Sequence, residues 1–384
     1  MKNYLPIFLL ILVLSCSKGD ILTMDNSIND RENRVSQYID SLIENNITPG
    51  LQYAIINEKD IIYSKATGYM DVKNKINMKL DTTMNIFSVT KLFTGVSILQ
   101  LQEQNKLNIY DDVSKYIKDI PYKNIKIIDI LSHSSGIPNP IIGNFFIHWK
   151  EEHKEFKRDD FLNEVLQKNN KLKFEPTKKM LYSNLGYAIL GKVIENVSSL
   201  DYETYVKTNI IKVLNIKDQD MSLEVRDLNL SAKPYINKKS LMENFMTLLL
   251  KGGKWQDEGN WKYLERQFYF DFPSHGGIVA NSLSLSSFLK DLLQDKSKLL
   301  SNDSKRMFFT EIIRDDKKNR SVAISWMVSS NNGNKYYSHQ GGGVGYASLV
   351  RIYPDKKLAS VLLVNTTTVD VIHILDNLDY QFMK

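Results

Sequence analysis

Apolar residues at Val35, Ile39, Leu42 and Ile43 recur with the period of one helix face, and Pro49-Gly50 closes that helix. The pattern then becomes strand-like: residues 52–57 and 61–67, joined through Glu58-Lys59-Asp60, predict a hairpin. The far end of the chain mirrors this. Residues 322–329, 346–353 and 358–365 read as strands, Pro354-Asp355-Lys356-Lys357 as a turn, and 370–381 as a closing helix. Short turns imply antiparallel pairing, so both chain ends are predicted to build one sheet. Between Phe87 and about Phe288 the punctuation changes to helices with long connections, of which 186–197 and 283–293 are the clearest. The predicted fold class is α+β: an antiparallel sheet built from both chain ends and flanked by helices, with a helical region at about 85–270 inserted. Within that region the stretch 233–270, rich in aromatic and charged residues, carries no pattern that places it.

A different kind of sequence precedes this fold. Lys2 is followed by LPIFLLILVL (5–14), broken only by Pro6, and then by Ser15-Cys16. A bilayer core needs roughly 20 apolar residues in a helix, so residues 1–15 read as a secretory signal peptide. Cys16 is the only cysteine, so no disulfide can form within one chain and burial must supply stability. An ordinary signal followed by an incidental cysteine is the plainer reading. Val13-Leu14-Ser15-Cys16, however, resembles a bacterial lipobox. That resemblance implies a lipid on Cys16, a linker over 16–34, and attachment on the periplasmic or cell-surface side of the bacterial envelope.

Composition narrows the partners. The 384 residues are 42% hydrophobic, enough for a substantial core, and 50 basic against 44 acidic residues give a net charge of +6. Both signs are interspersed, so the surface is mildly basic and carries no nucleic-acid footprint.

Three short motifs carry candidate chemistry. Ser-x-x-Lys occurs at Ser15/Lys18, Ser88/Lys91 and Ser287/Lys290, and only Ser88 heads a helix with an apolar stripe, Val89, Leu92, Val96 and Leu99. Positions i and i+3 share a helix face, so Lys91 points with Ser88. Burial of that turn would lower the lysine pKa and free an amine to accept the serine proton. Taken alone, the pair is also read as a helix-capping serine beside a solvated lysine. Tyr-x-Asn occurs at Tyr122/Asn124, Tyr182/Asn184 and Tyr235/Asn237; only the second lies between a turn, Glu175-Pro176-Thr177, and a predicted helix. A phenol near an ammonium can exist as phenolate, and an asparagine amide can hold a substrate carbonyl; a loop tyrosine used in packing is the alternative. His-x-Gly occurs at His275 and at His339, where the run His339-Gln340-Gly341-Gly342-Gly343-Val344-Gly345 directly precedes a predicted strand. Glycines there let a substrate lie against backbone N–H groups, two of which make an oxyanion hole.

In this order, Ser88-x-x-Lys91, Tyr182-x-Asn184 and His339-x-Gly341 resemble the three motifs of serine β-lactamases and penicillin-binding proteins. The likeness is to the branch with Tyr-x-Asn, which holds class C enzymes, D-amino-acid peptidases and esterases. SVTKLFTGVSILQLQEQNKLNIYDDVSKYI (88–117), ILSHSSGIP (130–138), YSNLGYAILGKVIENV (182–197) and HGGIVANSLSLSSFL (275–289) carry it further, over a catalytic domain at 35–384. The resemblance implies that Ser88 is the acylated nucleophile and that Lys91 and Tyr182 share the proton transfers. It implies that Asn184, His339 and Gly341 bind substrate and that the N–H groups of Ser88 and Gly342 hold the oxyanion. No cofactor and no metal are implied. His148 and His153, five apart, are not a His-Glu-x-x-His pair, and on a helix that spacing shares a face poorly. His133 reads as structural and Asp111-Asp112 as a loop and cap feature.

Two positions depart from the family pattern. His339-Gln340 replaces a lysine and a hydroxyl residue, and Thr177 replaces a common glycine, read here as a local turn change. A histidine is neutral at pH 7 and charges near pH 6, so carboxylate-bearing substrates should be disfavoured, less so toward pH 6. The leading expectation is a membrane-anchored serine hydrolase acting on a small ester or amide, or on a peptide with D-residues. A true β-lactamase or DD-peptidase, and a catalytically silent binding lipoprotein on the same fold, are the alternatives.

Overall fold

The computed structural model describes residues 22–25, 27, 30–140, 146–240, 244, 247, 250, 252–315 and 320–383. The signal segment, Cys16 and the start of the tether, residues 16–21, lie outside them. Helix α1 (Arg31–Glu44) begins inside the stretch read as linker, because the Asp30 side chain caps it by accepting from the Asn33 amide. Leu22 and Met24 also pack against the apolar cluster beneath this helix.

Both chain ends build one sheet. Its strands in chain order are β1 (Gly50–Asn57), β2 (Ile61–Asp71), β3 (Ile76–Asn77), β4 (Ile313–Asp315), β5 (Arg320–Val322), β6 (Met327–Asn331), β7 (Asn334–Gly343), β8 (Tyr346–Tyr353) and β9 (Leu358–Val364). Across the sheet the order is β4-β5-β6-β7-β8-β9-β1-β2-β3. Every pairing is antiparallel. The first and last strands of the two halves meet at β1 and β9, where Tyr53 faces Leu362 and Leu51 faces Val364.

Two readings of this region need correction. The run 322–329 is two strands, not one: Ser325 turns the chain in the left-handed region (φ 61°), and its amide donates to Leu131 O at 3.0 Å. The glycine run after His339 is not a loop before a strand but the end of β7 itself, paired so that Gly341 faces Ser348 and Gly342 faces Ala347.

One face of the sheet is covered by α1 and the closing helix α5 (Val371–Met383), through Val35, Ile39 and Leu42 on one and Leu375 and Leu378 on the other. The other face carries the larger core, which includes α2 (Thr90–Glu103), α3 (Asn184–Ser198) and α4 (Ser282–Leu293). Helix α2 does not have the single apolar stripe expected of it. Every residue from Thr90 to Leu101 is buried, because helices and sheet surround it. The stretch 233–270 contains a small sheet of Tyr235–Asn237, Trp261–Leu264 and Trp255–Glu258. It docks on the end of β7: the Tyr235 amide lies 3.1 Å from both Gly345 O and Asn365 O, and Lys233 bridges Asp71 (3.1 Å) and Glu258 (3.2 Å). Among the described residues no helix is long and apolar enough to cross a membrane.

Candidate active site

Ser88 lies in a single turn, Phe87–Val89, that runs into α2. Phe87 before it adopts φ 47°, a conformation that costs a bulky residue on the order of 1–3 kcal/mol. Its surroundings hold it there. The Phe87 amide donates to Asn85 Oδ1 (2.7 Å), the Ile86 amide to Ile278 O (3.0 Å), and the Ser348 hydroxyl to Ile86 O (2.8 Å). The Phe87 ring packs edge-on against Phe270, 5.4 Å between centroids.

Lys91, one turn on, is fully buried, and its Nζ has three neighbours: Ser88 Oγ at 3.0 Å, Asn184 Oδ1 at 2.9 Å and His275 O at 2.7 Å. Desolvation holds its pKa well below the ordinary lysine value. Two of the three neighbours are carbonyl oxygens, which only accept. A neutral amine has two N–H donors and one lone pair, so the carbonyls take both donors and the lone pair faces Ser88. That arrangement can remove the serine proton.

Tyr182 and Asn184 sit where helix α3 begins. The Ser183 side chain accepts from the Gly186 amide as N-cap, and the Asn184 amide donates to Asn139 Oδ1 at 3.0 Å. The loop 130–140 supports this turn further. The Leu181 amide donates to His133 O (2.7 Å) and the Ser183 hydroxyl to Pro138 O (3.0 Å). The expectation of a Tyr182 phenolate is not met. Burial pushes its pKa up, a hydrogen bond with Ser88 only partly opposes this, and Lys91 Nζ lies over the ring face, 4.9 Å from its centroid, rather than beside the oxygen. Tyr182 is a neutral phenol that can donate.

Strand β7 passes the nucleophile so closely that only glycine fits. A Cβ on Gly341 would lie 2.1 Å from Ile86 O, 2.5 Å from Ser348 Oγ and 3.0 Å from Ser88 N. The next residue, Gly342, is exposed, and the nearest atom to a Cβ there would be Tyr346 O at 3.8 Å. His339 is buried, its Nδ1 lies 2.9 Å from Gln340 O and so carries the proton, and its Nε2 has no partner. Burial, the main cause, lowers its pKa to about 3. The expected gain of charge toward pH 6 is therefore corrected: His339 stays neutral throughout the physiological range.

The His133 ring packs at a tilt of 35° against Tyr182 with centroids 4.3 Å apart, and His275 supplies the carbonyl for Lys91; burial keeps both neutral. His275, Asn139, Asn85 and Ser348 were given no role from sequence. The His275-Gly276-Gly277 signal was visible; the others act through backbone contacts that no motif marks. Thr177 takes φ 66°, the left-handed turn that a glycine would adopt easily. Asp112 caps the turn Val113–Lys115, and Asp111 pairs with Lys115 (2.7 Å). His148 and His153 are not on one helix: His148 is in the strand Ile147–Trp149, its Nδ1 is 2.8 Å from Asp271 and its Nε2 2.8 Å from His153 Nδ1. Among the described residues no group of three or more His, Cys, Asp or Glu could hold a metal ion.

The family model for beta-lactamase matches residues 35–379. The chain belongs to the beta-lactamase family. This is a family of serine hydrolases, and the serine, lysine and tyrosine described above stand together in this chain. Penicillin-binding protein 4* of Bacillus subtilis (strain 168) is 24% identical over 319 residues, 80% of this chain and 66% of that protein. Protein flp of Staphylococcus aureus (strain MRSA252) is 31% identical over 196 residues, 48% of this chain and 38% of that protein. The chain thus spans less than two thirds of the length of these curated relatives. The D-amino acid amidase from Ochrobactrum anthropi SV3 complexed with L-phenylalanine shares the fold, with a TM-score of 0.76 at 16% identity, over 91% of this chain and 98% of that one.

Proposed function

We propose that this family member is a serine hydrolase that cleaves an uncharged ester or amide through an acyl-enzyme on Ser88. The observation that carries this is the contact of the buried Lys91 Nζ with Ser88 Oγ at 3.0 Å, with two carbonyls fixing the lone pair toward the serine. Ser88 Oγ attacks the substrate carbonyl as its proton passes to Lys91. The oxyanion is received by the Ser88 and Gly342 N–H groups beside β7. Tyr182, a neutral phenol, donates to the leaving group and recovers a proton from Lys91. Water then repeats the sequence to release the acid and restore Ser88. Asn184 Oδ1 is occupied by Lys91, which leaves its amide N–H groups to orient the substrate through an acceptor other than the scissile carbonyl.

The neutral His339 supports uncharged substrates. A charge-assisted contact is worth about 1.5–3 kcal/mol, roughly 10- to 150-fold in affinity, and His339 cannot offer one to a carboxylate. Amides of D-residues remain within the class, in keeping with the D-amino acid amidase that shares the fold. The test is kcat/KM for a short nitrophenyl ester against a chromogenic cephalosporin at pH 7.5. The ester should be preferred. Preference for the cephalosporin would favour the β-lactamase reading, and no turnover or acylation by any ester, D-peptide amide or β-lactam would favour a silent binding protein.

Attachment to the bacterial envelope by a lipid on Cys16 is part of the proposal, supported by the apolar run before the sole cysteine. Full-length protein should partition with membranes. Unchanged processing and partition in Cys16→Ser would refute this part alone.

A further inference from the structure

Strand β7 serves as a ruler across the site. Its His339 end faces Tyr182, with ring centroids 6.3 Å apart; its middle, Gly341, lies against Ser88 N; and a Cβ on Gly343 would lie 2.7 Å from the Phe87 ring. At about 3.3 Å per residue these points span about 13 Å. The groups that move protons therefore lie at one end and an aromatic cluster at the other. The leaving group must depart beside the residue that returns its proton, at the Tyr182 end. The substituent that stays on the acyl carbon is then directed toward the Gly343 end.

The aromatic cluster there consists of Phe87, Phe268, Phe270 and Tyr346. Phe87 contacts the other three with centroids 6.4, 5.4 and 6.4 Å away. Three of these rings are buried and already satisfied by one another, while Phe268 is half-exposed. Phe268 belongs to a two-stranded ribbon in which Phe268 faces Trp149, Tyr269 faces His148 and Phe270 faces Ile147. Alternation puts Phe268 and Phe270 on the side of the nucleophile and Tyr269 and His148 on the opposite side. The outer side is fastened by a chain the mechanism does not use. Buried Asp271 pairs with His148, and His148 joins His153 in a nearly coplanar ring pair, interplanar angle 2°. On the Phe268 side the Arg266 guanidinium covers Trp149 at 4.4 Å, and the Asp271 amide donates to Phe146 O at 2.8 Å. The ribbon is thus preformed, and it holds the half-exposed Phe268 ring against Phe87 beside the serine.

We infer that Phe268 is a specificity-determining residue for the acyl group, selecting substrates whose acyl side is flat and apolar, such as an aryl-acyl ester or the amide of an aromatic residue. This rests on the serine-hydrolase reading above. An aromatic contact of this kind is worth about tenfold in selectivity.

The test compares kcat/KM for nitrophenyl phenylacetate and nitrophenyl acetate in wild type, Phe268→Ala and Phe268→Tyr. The leaving group is the same, so effects on the shared proton transfers cancel in the ratio. Wild type should favour the phenylacetyl ester by at least about tenfold, Phe268→Ala should lose most of that ratio, and Phe268→Tyr should keep it. A circular-dichroism melt reports the folding of each variant. A ratio unchanged in Phe268→Ala, or lost equally in Phe268→Tyr, overturns the inference while leaving the hydrolase reading intact. Absence of turnover of both esters in wild type overturns this inference as well, and absence of acylation by any ester, D-peptide amide or β-lactam refutes the hydrolase reading itself.

Discussion

Substituting Gly341 by alanine is the sharpest steric perturbation the site offers. The added Cβ would meet Ile86 O at 2.1 Å, Ser348 Oγ at 2.5 Å and Ser88 N at 3.0 Å. Carbon and oxygen normally approach to about 3.3 Å, so the overlap with the Ile86 carbonyl is about 1.2 Å. Ile86 cannot yield freely, because its amide is held by Ile278 O and its carbonyl by the Ser348 hydroxyl. Either β7 retreats or the nucleophile turn moves, by roughly 1 Å. A displacement of that size at a reacting centre costs about 100-fold in rate, or about 2.7 kcal/mol. Overpacking should add about 1–3 kcal/mol of destabilisation. The assay is kcat/KM for a nitrophenyl ester together with a thermal melt. Gly342→Ala provides the contrast, since the nearest atom to its Cβ is Tyr346 O at 3.8 Å, and its loss should be at least tenfold smaller. Wild-type kcat/KM in Gly341→Ala, or equal losses in the two variants, would refute the close apposition of β7 and Ser88.

Lys91→Met should lower kcat by about 10²–10⁴-fold, the usual contribution of a positioned base; the acid limb of the wild-type pH profile should lie well below pH 10.5 and vanish in the variant, and a limb that persists would assign it elsewhere. His339 stays neutral down to about pH 3, so the ester-to-cephalosporin ratio should be flat between pH 6 and 8, whereas His339→Lys should shift it toward the cephalosporin by roughly 10- to 150-fold. A wild-type ratio that narrows toward pH 6 would contradict the burial argument. Asp379 is buried among the Tyr53, Tyr353 and Ser360 hydroxyls, and burial raises its pKa from 3.8 to about 6. A raised acid favours the fold fully below pH 3.8 and loses that advantage as pH rises through 6, by roughly 3 kcal/mol; thermal melts of wild type and Asp379→Asn should diverge across this window, and parallel profiles would refute it.

Much of this was legible in sequence because it is local. Ser88 and Lys91 share a face by helix geometry alone. The sheet was legible at its ends, where apolar strands such as 358–364 read as continuous buried runs. It failed at β7, because three consecutive glycines resemble a loop; they are strand only because β8 pairs with them and Ile86 excludes a Cβ. Charge states were also hidden. Nothing in the word histidine says that His339 is buried near Lys91, or that Lys91 Nζ lies over the Tyr182 ring. His148 and Asp271 are 123 residues apart and meet only through the pairing of two three-residue strands, which no periodicity can mark.

The central claim is that Ser88 becomes acylated, and intact-mass analysis after treatment with a fluorophosphonate tests it most directly. Wild type should gain the mass of one adduct, peptide mapping should place it on Ser88, and Ser88→Ala should gain none. An adduct of equal yield in Ser88→Ala, or no adduct in a folded wild type, would contradict the account.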